Sequence, residues 1–182
     1  MRDISSLSDE KIVEIVRSKD KEQYAEIIRR YQVRLMRYAT YLVGESHTAA
    51  DVVQEAFIKA FINLNGFDLK KKFSSWIYRI VHNEAMNVIS KDKKKESLDD
   101  HMQYASNVDI TDDVIKQELV QHANHCLEKM PILYKEPLSL YFLDEKSYEE
   151  ISDILRIPVA TVGTRINRAK GVMKKICQTQ NK

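Results

Sequence analysis

An all-α chain, folded as two small helical domains joined by a flexible linker, is what the sequence predicts. Three observations predict it. Only four glycines and three prolines occur in 182 residues, too few turn formers for a sandwich or barrel. Apolar residues recur at helical spacing in both halves. Between the halves, from about Lys91 to Asp113, that periodicity disappears into a charged stretch. The expected boundaries are 1–92 for the first domain, 93–113 for the linker and 114–182 for the second.

The first element is a short amphipathic helix over Asp9–Arg17. A longer helix follows from about Lys21 to Val43. Tyr24, Ile27, Ile28, Tyr31, Leu35, Tyr38 and Leu42 form its apolar stripe, and Gly44 stops it. Thr48 and Asp51 have capping-box spacing and are expected to open the third helix. Its core face carries Val53, Ala56, Phe57, Ala60, Phe61 and Leu64. Its opposite face carries Asp51, Gln54, Glu55 and Ile58 at i, i+3, i+4 and i+7. A solvated acidic face is the plain reading of that set. Asn65-Gly66 breaks the helix.

A loop with Lys70, Lys71 and Lys72 leads into a helix from about Ser74 to Ser90, which buries Ile77, Ile80, Val81 and Val88. A second face presents Trp76, Arg79, Asn83 and Asn87, an aromatic group among hydrogen-bonding ones. Helical spacing resumes at Ile115, Leu119, Ala123, Cys126 and Leu127 and ends at Pro131. A compact apolar helix covers Leu138–Leu143, with Pro137 opening or kinking it. Ser147 and Glu150 form a second capping box, which starts a short helix through Ile151, Ile154 and Leu155. After Ile157-Pro158 a last helix runs to about Cys177, with Val162, Ile166, Ala169, Met173 and Ile176 inward.

Charge points to one end of the chain. From Arg156 onward there are seven basic residues and no Asp or Glu, whereas Lys91–Ile115 holds four lysines against seven acids. A basic end after an acidic connector suits a polyanion partner. A short capped helix, a tight turn and a longer basic helix also make the helix-turn-helix pattern. Thr161, Thr164, Arg165 and Arg168 lie opposite the core stripe, where arginine can grip guanine edges or phosphates through two donors.

Other classes find little support. No P-loop, nucleophile elbow or glycine-rich dinucleotide turn occurs, so the chain reads as a non-enzyme with no cofactor. His122, His125 and Cys126 share a helix face, but a structural metal site normally needs four ligands. No apolar run reaches the roughly 20 residues needed to cross a bilayer. No signal peptide is visible, and the two cysteines make no disulfide framework, so a reducing cytoplasm is expected.

The motifs then match a family. Ser147–Lys170 closely resembles region 4 of the extracytoplasmic-function (ECF) sigma factors of the sigma-70 family. Asp51–Phe61 resembles their region 2.2, and Phe73–Asn83 their regions 2.3 and 2.4, in the right order and spacing. The resemblance implies a region 2 helical bundle, a region 4 helix-turn-helix and a role in promoter-specific initiation during a stress or envelope response. It assigns Asp51, Gln54, Glu55 and Ile58 to the clamp helices of the largest subunit of core RNA polymerase. It assigns the −10 promoter element to the loop and helix carrying Phe67, Lys70, Lys71, Lys72, Trp76, Arg79 and Asn83. Stacking rings on a basic track suit capture of single-stranded DNA. The −35 element falls to Thr161, Thr164, Arg165, Asn167 and Arg168, and an anti-sigma factor is an expected partner. Gly163 stands where the family commonly has a basic residue. Arg156 replaces the usual glycine of the turn, so it is expected to take a left-handed conformation. The alternative is a stand-alone regulator that occupies operators without polymerase; such a protein has no need of the first two motifs.

Overall fold

The computed structural model describes residues 4–18, 20–96 and 123–179, without the side chains of 92–96. All regular structure among them is helical. The α-helices are α1 (Asp9–Ser18), α2 (Tyr24–Val43), α3 (Ser46–Ile62), α4 (Phe73–Glu96), α5 (123–128), α6 (Ile132–Phe142), α7 (Tyr148–Leu155) and α8 (Val159–Thr179). Short 3-10 turns at Lys21–Gln23 and Leu64–Gly66 precede α2 and follow α3.

The first half is a bundle of α2, α3 and α4 with α1 laid across it. Its centre is the predicted stripe: Ile27, Leu35 and Tyr38 are fully buried, against Ala56, Ile77 and Val81. Removing each large side chain from water is worth about 1.5–3 kcal/mol. Gly44 ends α2 in the left-handed conformation at φ 80°, which an L side chain resists. Arg17 of α1 ties down the loop after α3: its Nε donates to the carbonyl of Leu64 at 2.8 Å, and its guanidinium also reaches the carbonyl of Phe67.

Three local expectations need correction. The cap of α3 is Glu45, whose carboxylate accepts from the amides of His47 and Thr48; the helix therefore begins before Thr48, and no Thr48–Asp51 box opens it. Phe61 is 39% exposed at the edge of the bundle, with its ring 5.0 Å from that of Tyr24. Helix α4 runs through Lys91 to Glu96, so the expected linker begins as helix, and its remainder lies outside the described residues.

In the second half, α6 and α7 pack on α8 around Leu140, Ile151, Ile154, Val162 and Ile166. Pro137 lies inside α6 and forfeits the bond to the carbonyl of Leu133. Ser147 and Glu150 form the predicted capping box. Arg156 adopts the left-handed conformation at φ 55°, and the turn is held where Ser152 Oγ donates to the carbonyl of Ile157 at 2.6 Å.

The cysteines overturn an expectation. Cys126 of α5 and Cys177 near the end of α8 form a disulfide, with Cα atoms 5.6 Å apart across 51 residues of sequence. The helical hairpins fold the chain back, so a separation that looks long in sequence is short in space. The sulfur of Cys126 is therefore not a free ligand beside His125, and His122 lies outside the described residues.

The halves are in contact. Helix α4 packs on α7, and α2 on α6. Between them Tyr38 donates to the buried carboxylate of Glu136 at 2.6 Å, and His82 Nδ1 lies 2.6 Å from the same oxygen. Burial and Glu136 push the Tyr38 phenol far above its ordinary value, so it stays a donor.

Candidate nucleic-acid and polymerase interfaces

Helix α3 buries one side and presents the other. Val52, Val53, Ala56 and Ala60 face inward, which leaves Asp51, Gln54, Glu55 and Ile58 exposed together. Ile62, at i+4 from Ile58, is 70% exposed and extends the same ridge; the sequence reading passed over it although its spacing carried the signal. A groove of about 610 Å³ runs beside Asp51 and Glu55 toward Glu84 and Asn87 of α4. Lys59 closes it, 2.7 Å from Glu84 and 3.4 Å from Glu55, and Glu84 raises its ammonium above the ordinary value. Acid and exposed isoleucine on one rigid helix suit a basic, partly apolar partner helix.

The second surface is the loop after α3 and the outer side of α4. Lys70, Lys71 and Lys72 are exposed, as is Asn83. Asp68 shapes the loop by accepting from the amide of Lys70 at 3.0 Å. Phe67 departs from the expected role: it is only 4% exposed, with its ring 5.5 Å from Phe73 and 5.0 Å from Trp76. Its aromatic neighbours draw it into the core, so it supports the loop and offers no free stacking face. Trp76 is half-buried above it.

Arg79 points at the other half of the chain. Its Nη1 is 2.9 Å from Asp153 Oδ1 of α7, and burial holds the guanidinium below its usual value while Asp153 opposes that shift. Lys72 Nζ lies 3.1 Å from Glu150. Burial alone would raise Glu150; the Ser147 amide and Lys72 more than offset it and keep the carboxylate ionised. The sequence reading missed Glu150 and Asp153 as partners because nothing local links them to α4.

The third surface is α8. Val162, Ile166 and Ala169 are buried, so Thr164, Asn167 and Arg168 stand exposed, with Thr161 and Arg165 half-buried at the rim. Thr164 Oγ1 donates back to the carbonyl of Ala160 at 2.9 Å. A Cβ at Gly163 would meet the Tyr148 ring at 3.4 Å, ordinary contact, so the glycine is not required by space. No group of side chains arranged to hold a metal, and no helix long and apolar enough to cross a membrane, occurs among the described residues.

Comparison with known proteins places these surfaces in context. The sigma-70 region 2 profile matches residues 27–95, and the sigma-70 region 4 profile matches residues 123–172. The ECF RNA polymerase sigma factor SigW of Bacillus subtilis is 34% identical over 176 residues, covering 91% of this chain and 94% of that protein. The ECF RNA polymerase sigma-E factor of Escherichia coli K12 is 33% identical over 175 residues, covering 90% and 91%. Among solved structures, the sigma factor RpoE from Bartonella quintana, in complex with the anti-sigma factor NepR, superposes with TM-score 0.75 at 20% identity, over 86% of this chain and 98% of that one. CnrH, in complex with the cytosolic domain of CnrY, gives 0.70 at 21% identity, over 94% and 97%.

Proposed function

The chain belongs to the extracytoplasmic-function sigma factors of the sigma-70 family, and from that premise we propose a division of labour among its three surfaces. The protein is an RNA polymerase sigma factor that binds core polymerase and directs it to promoters. The stand-alone regulator falls away because the relatives match 90–91% of the chain, across both halves.

The exposed face of α3 (Asp51, Gln54, Glu55, Ile58) docks on the clamp helices of the largest polymerase subunit. Lys70, Lys71, Lys72, Trp76, Arg79 and Asn83 serve the opened −10 element, with Phe67 holding the loop from beneath. Thr161, Thr164, Arg165, Asn167 and Arg168 serve the −35 duplex. Residues 1–92 and 114–182 act as separate units on a tether, so the second DNA contact becomes intramolecular and modest affinities combine. The action is positional and belongs in the cytoplasm. By likeness to the Bartonella protein, whose structure includes an anti-sigma factor, an inhibitor of that kind is a further partner; a stress or envelope signal would relieve it.

The observation that carries this reading is the pairing, on one chain, of an exposed acidic-apolar ridge on α3 with an exposed basic reading face on α8. Transcription in vitro with sigma-free core polymerase and a promoter pool tests it. Arg168→Ala should weaken use of promoters that depend on the upstream element by roughly 5–150-fold, the worth of one base-edge contact. Glu55→Lys should lower affinity for core polymerase and leave duplex binding by the full chain intact. Failure to select any start site refutes the reading.

A further inference from the structure

Helix α1 holds both ends of the basic loop between α3 and α4. At the entry, Arg17 Nε donates to the carbonyl of Leu64 at 2.8 Å, and its Nη2 donates to the carbonyls of Leu64 and Phe67. The same guanidinium stands 6.0 Å from the centre of the Phe67 ring. At the exit, Glu10 Oε1 accepts from the amide of Phe73, the first residue of α4, at 2.9 Å. Glu10 and Arg17 are two turns apart on one face of α1, about 10 Å along its axis. Phe67 and Phe73 are buried, and Trp76 packs against both rings. The segment 68–72 between them is exposed throughout.

The composition of the loop explains why its ends are held from outside. Lys72 stands at the cap position of α4, where its carbonyl accepts from the amide of Trp76 at 3.4 Å. A lysine side chain offers no acceptor to the free amides of a first turn. Glu10 supplies that acceptor from another helix, and a carboxylate there also meets the positive end of the helix dipole. The cap position can therefore carry a basic residue. At the entry, one planar guanidinium takes two carbonyls at once and fixes their spacing. Helix α1 is itself anchored. Ile12, Val13 and Val16 are buried, and Asp9 accepts from Arg30 Nη1 at 2.8 Å and from the Tyr31 hydroxyl. The loop thus hangs between two points of a fixed helix.

We propose that Glu10 and Arg17 are positioning residues for single-stranded promoter DNA. They touch no base; they fix the span of the 68–72 segment, on which Lys70 and Lys71 meet the strand. This deepens the preceding reading and rests on its assignment of the loop to the −10 element. With both ends held, the loop backbone is set before DNA arrives, and binding the strand does not carry the cost of ordering it. Neither residue belongs to the outer face of α3 or of α8, so their loss leaves polymerase docking and duplex binding as they were.

The test uses the full chain bound to core polymerase. The probe is a short fluorescein-labelled non-template strand spanning the −10 region of a promoter recovered from the pool. Arg17→Met removes the fork and keeps an unbranched side chain beside Phe67. Glu10→Ala removes the acceptor, and Glu10→Gln keeps an acceptor oxygen. Arg17→Met and Glu10→Ala should each weaken strand binding by roughly 5–150-fold, the worth of one well-placed base. Their affinities for core polymerase and for upstream duplex should not change, and Glu10→Gln should bind the strand like the wild type. In Arg17→Met and Glu10→Ala, trypsin should also cut faster after Lys70 and Lys71, read by mass spectrometry, with cleavage after Lys170 unaltered. Strand binding unchanged in both variants overturns the proposal; the −10 reading then survives if Lys70→Ala/Lys71→Ala weakens the strand. Should Lys70→Ala/Lys71→Ala have no effect either, the −10 reading falls and the proposal with it. A parallel loss of strand, duplex and polymerase binding assigns the two residues to folding of the bundle and overturns their positioning role.

Discussion

The Cys126–Cys177 bond makes a sharp quantitative claim about the C-terminal helices. It joins α5 to the end of α8 across 51 residues. In the chain-entropy description, closing a loop of that length removes freedom from the unfolded chain worth about 4 kcal/mol at 25 °C. A unit of this size has a urea slope of about 1 kcal/mol per molar. Reducing the bond should therefore move the midpoint of its transition down by about 3–4 M. Urea titration followed by far-UV circular dichroism, with and without reductant, reads the change. Trp76, the one tryptophan, lies in the other half, so its fluorescence should shift less. Cys126→Ala/Cys177→Ala should behave like the reduced protein and ignore reductant. Coincident oxidised and reduced curves for the wild type would refute the reasoning, as would two titratable thiols in folded protein after mild oxidation. In a reducing compartment the same geometry leaves two thiols in contact, and the C-terminal unit goes without that contribution.

Further outcomes follow from single groups. Ser147→Ala removes the acceptor for the Glu150 amide and should lower stability by about 1 kcal/mol, measured as a denaturant midpoint. Gly163→Ala adds a methyl that meets only ordinary contact with Tyr148; it should stabilise α8 by about 1 kcal/mol and raise Tm by several degrees. Glu26, gripped by Arg29 and Arg30, has its carboxyl lowered to about 2. A group depressed in the folded state stabilises fully above its unfolded value and loses that contribution as pH falls toward the folded one. The stability gap between wild type and Glu26→Gln should therefore be constant above about pH 5, shrink between about 4.5 and 2, and vanish below. A gap independent of pH would remove the ion-pair explanation.

How much of this was legible in the sequence depends on range. The stripe of α2, the capping box at Ser147, the left-handed Arg156 and the inward residues Val162, Ile166 and Ala169 are local consequences of periodicity and turn chemistry, and the sequence announces each. The outer faces of α3 and α8 follow as complements of those stripes. Errors arise where a tertiary neighbour decides. Phe67 reads as a loop aromatic available for stacking until Phe73 and Trp76 close around it. Phe61 has core spacing yet sits where the bundle ends. Glu45 caps α3 although Thr48 looks the better opener, because two carboxylate oxygens three residues earlier can take two amides at once. The disulfide and the α4–α7 ion pairs join residues 51 or more apart, for which one sequence carries no pairing signal.

The contact between the halves has the chemistry of a reversible joint. Its centre holds charged groups that are costly to bury: Glu136 between Tyr38 and His82, and Asp144 between Arg37 and Tyr78. One oxygen of Asp144 is buried with no hydrogen-bond partner. In an opened molecule both carboxylates regain water, so desolvation works against closure, and what the network supplies is register. The placement of α6 against α2 and α4 brings Glu136 to both Tyr38 and His82. Apolar contact supplies the attraction, because buried side chains of the two halves form one cluster.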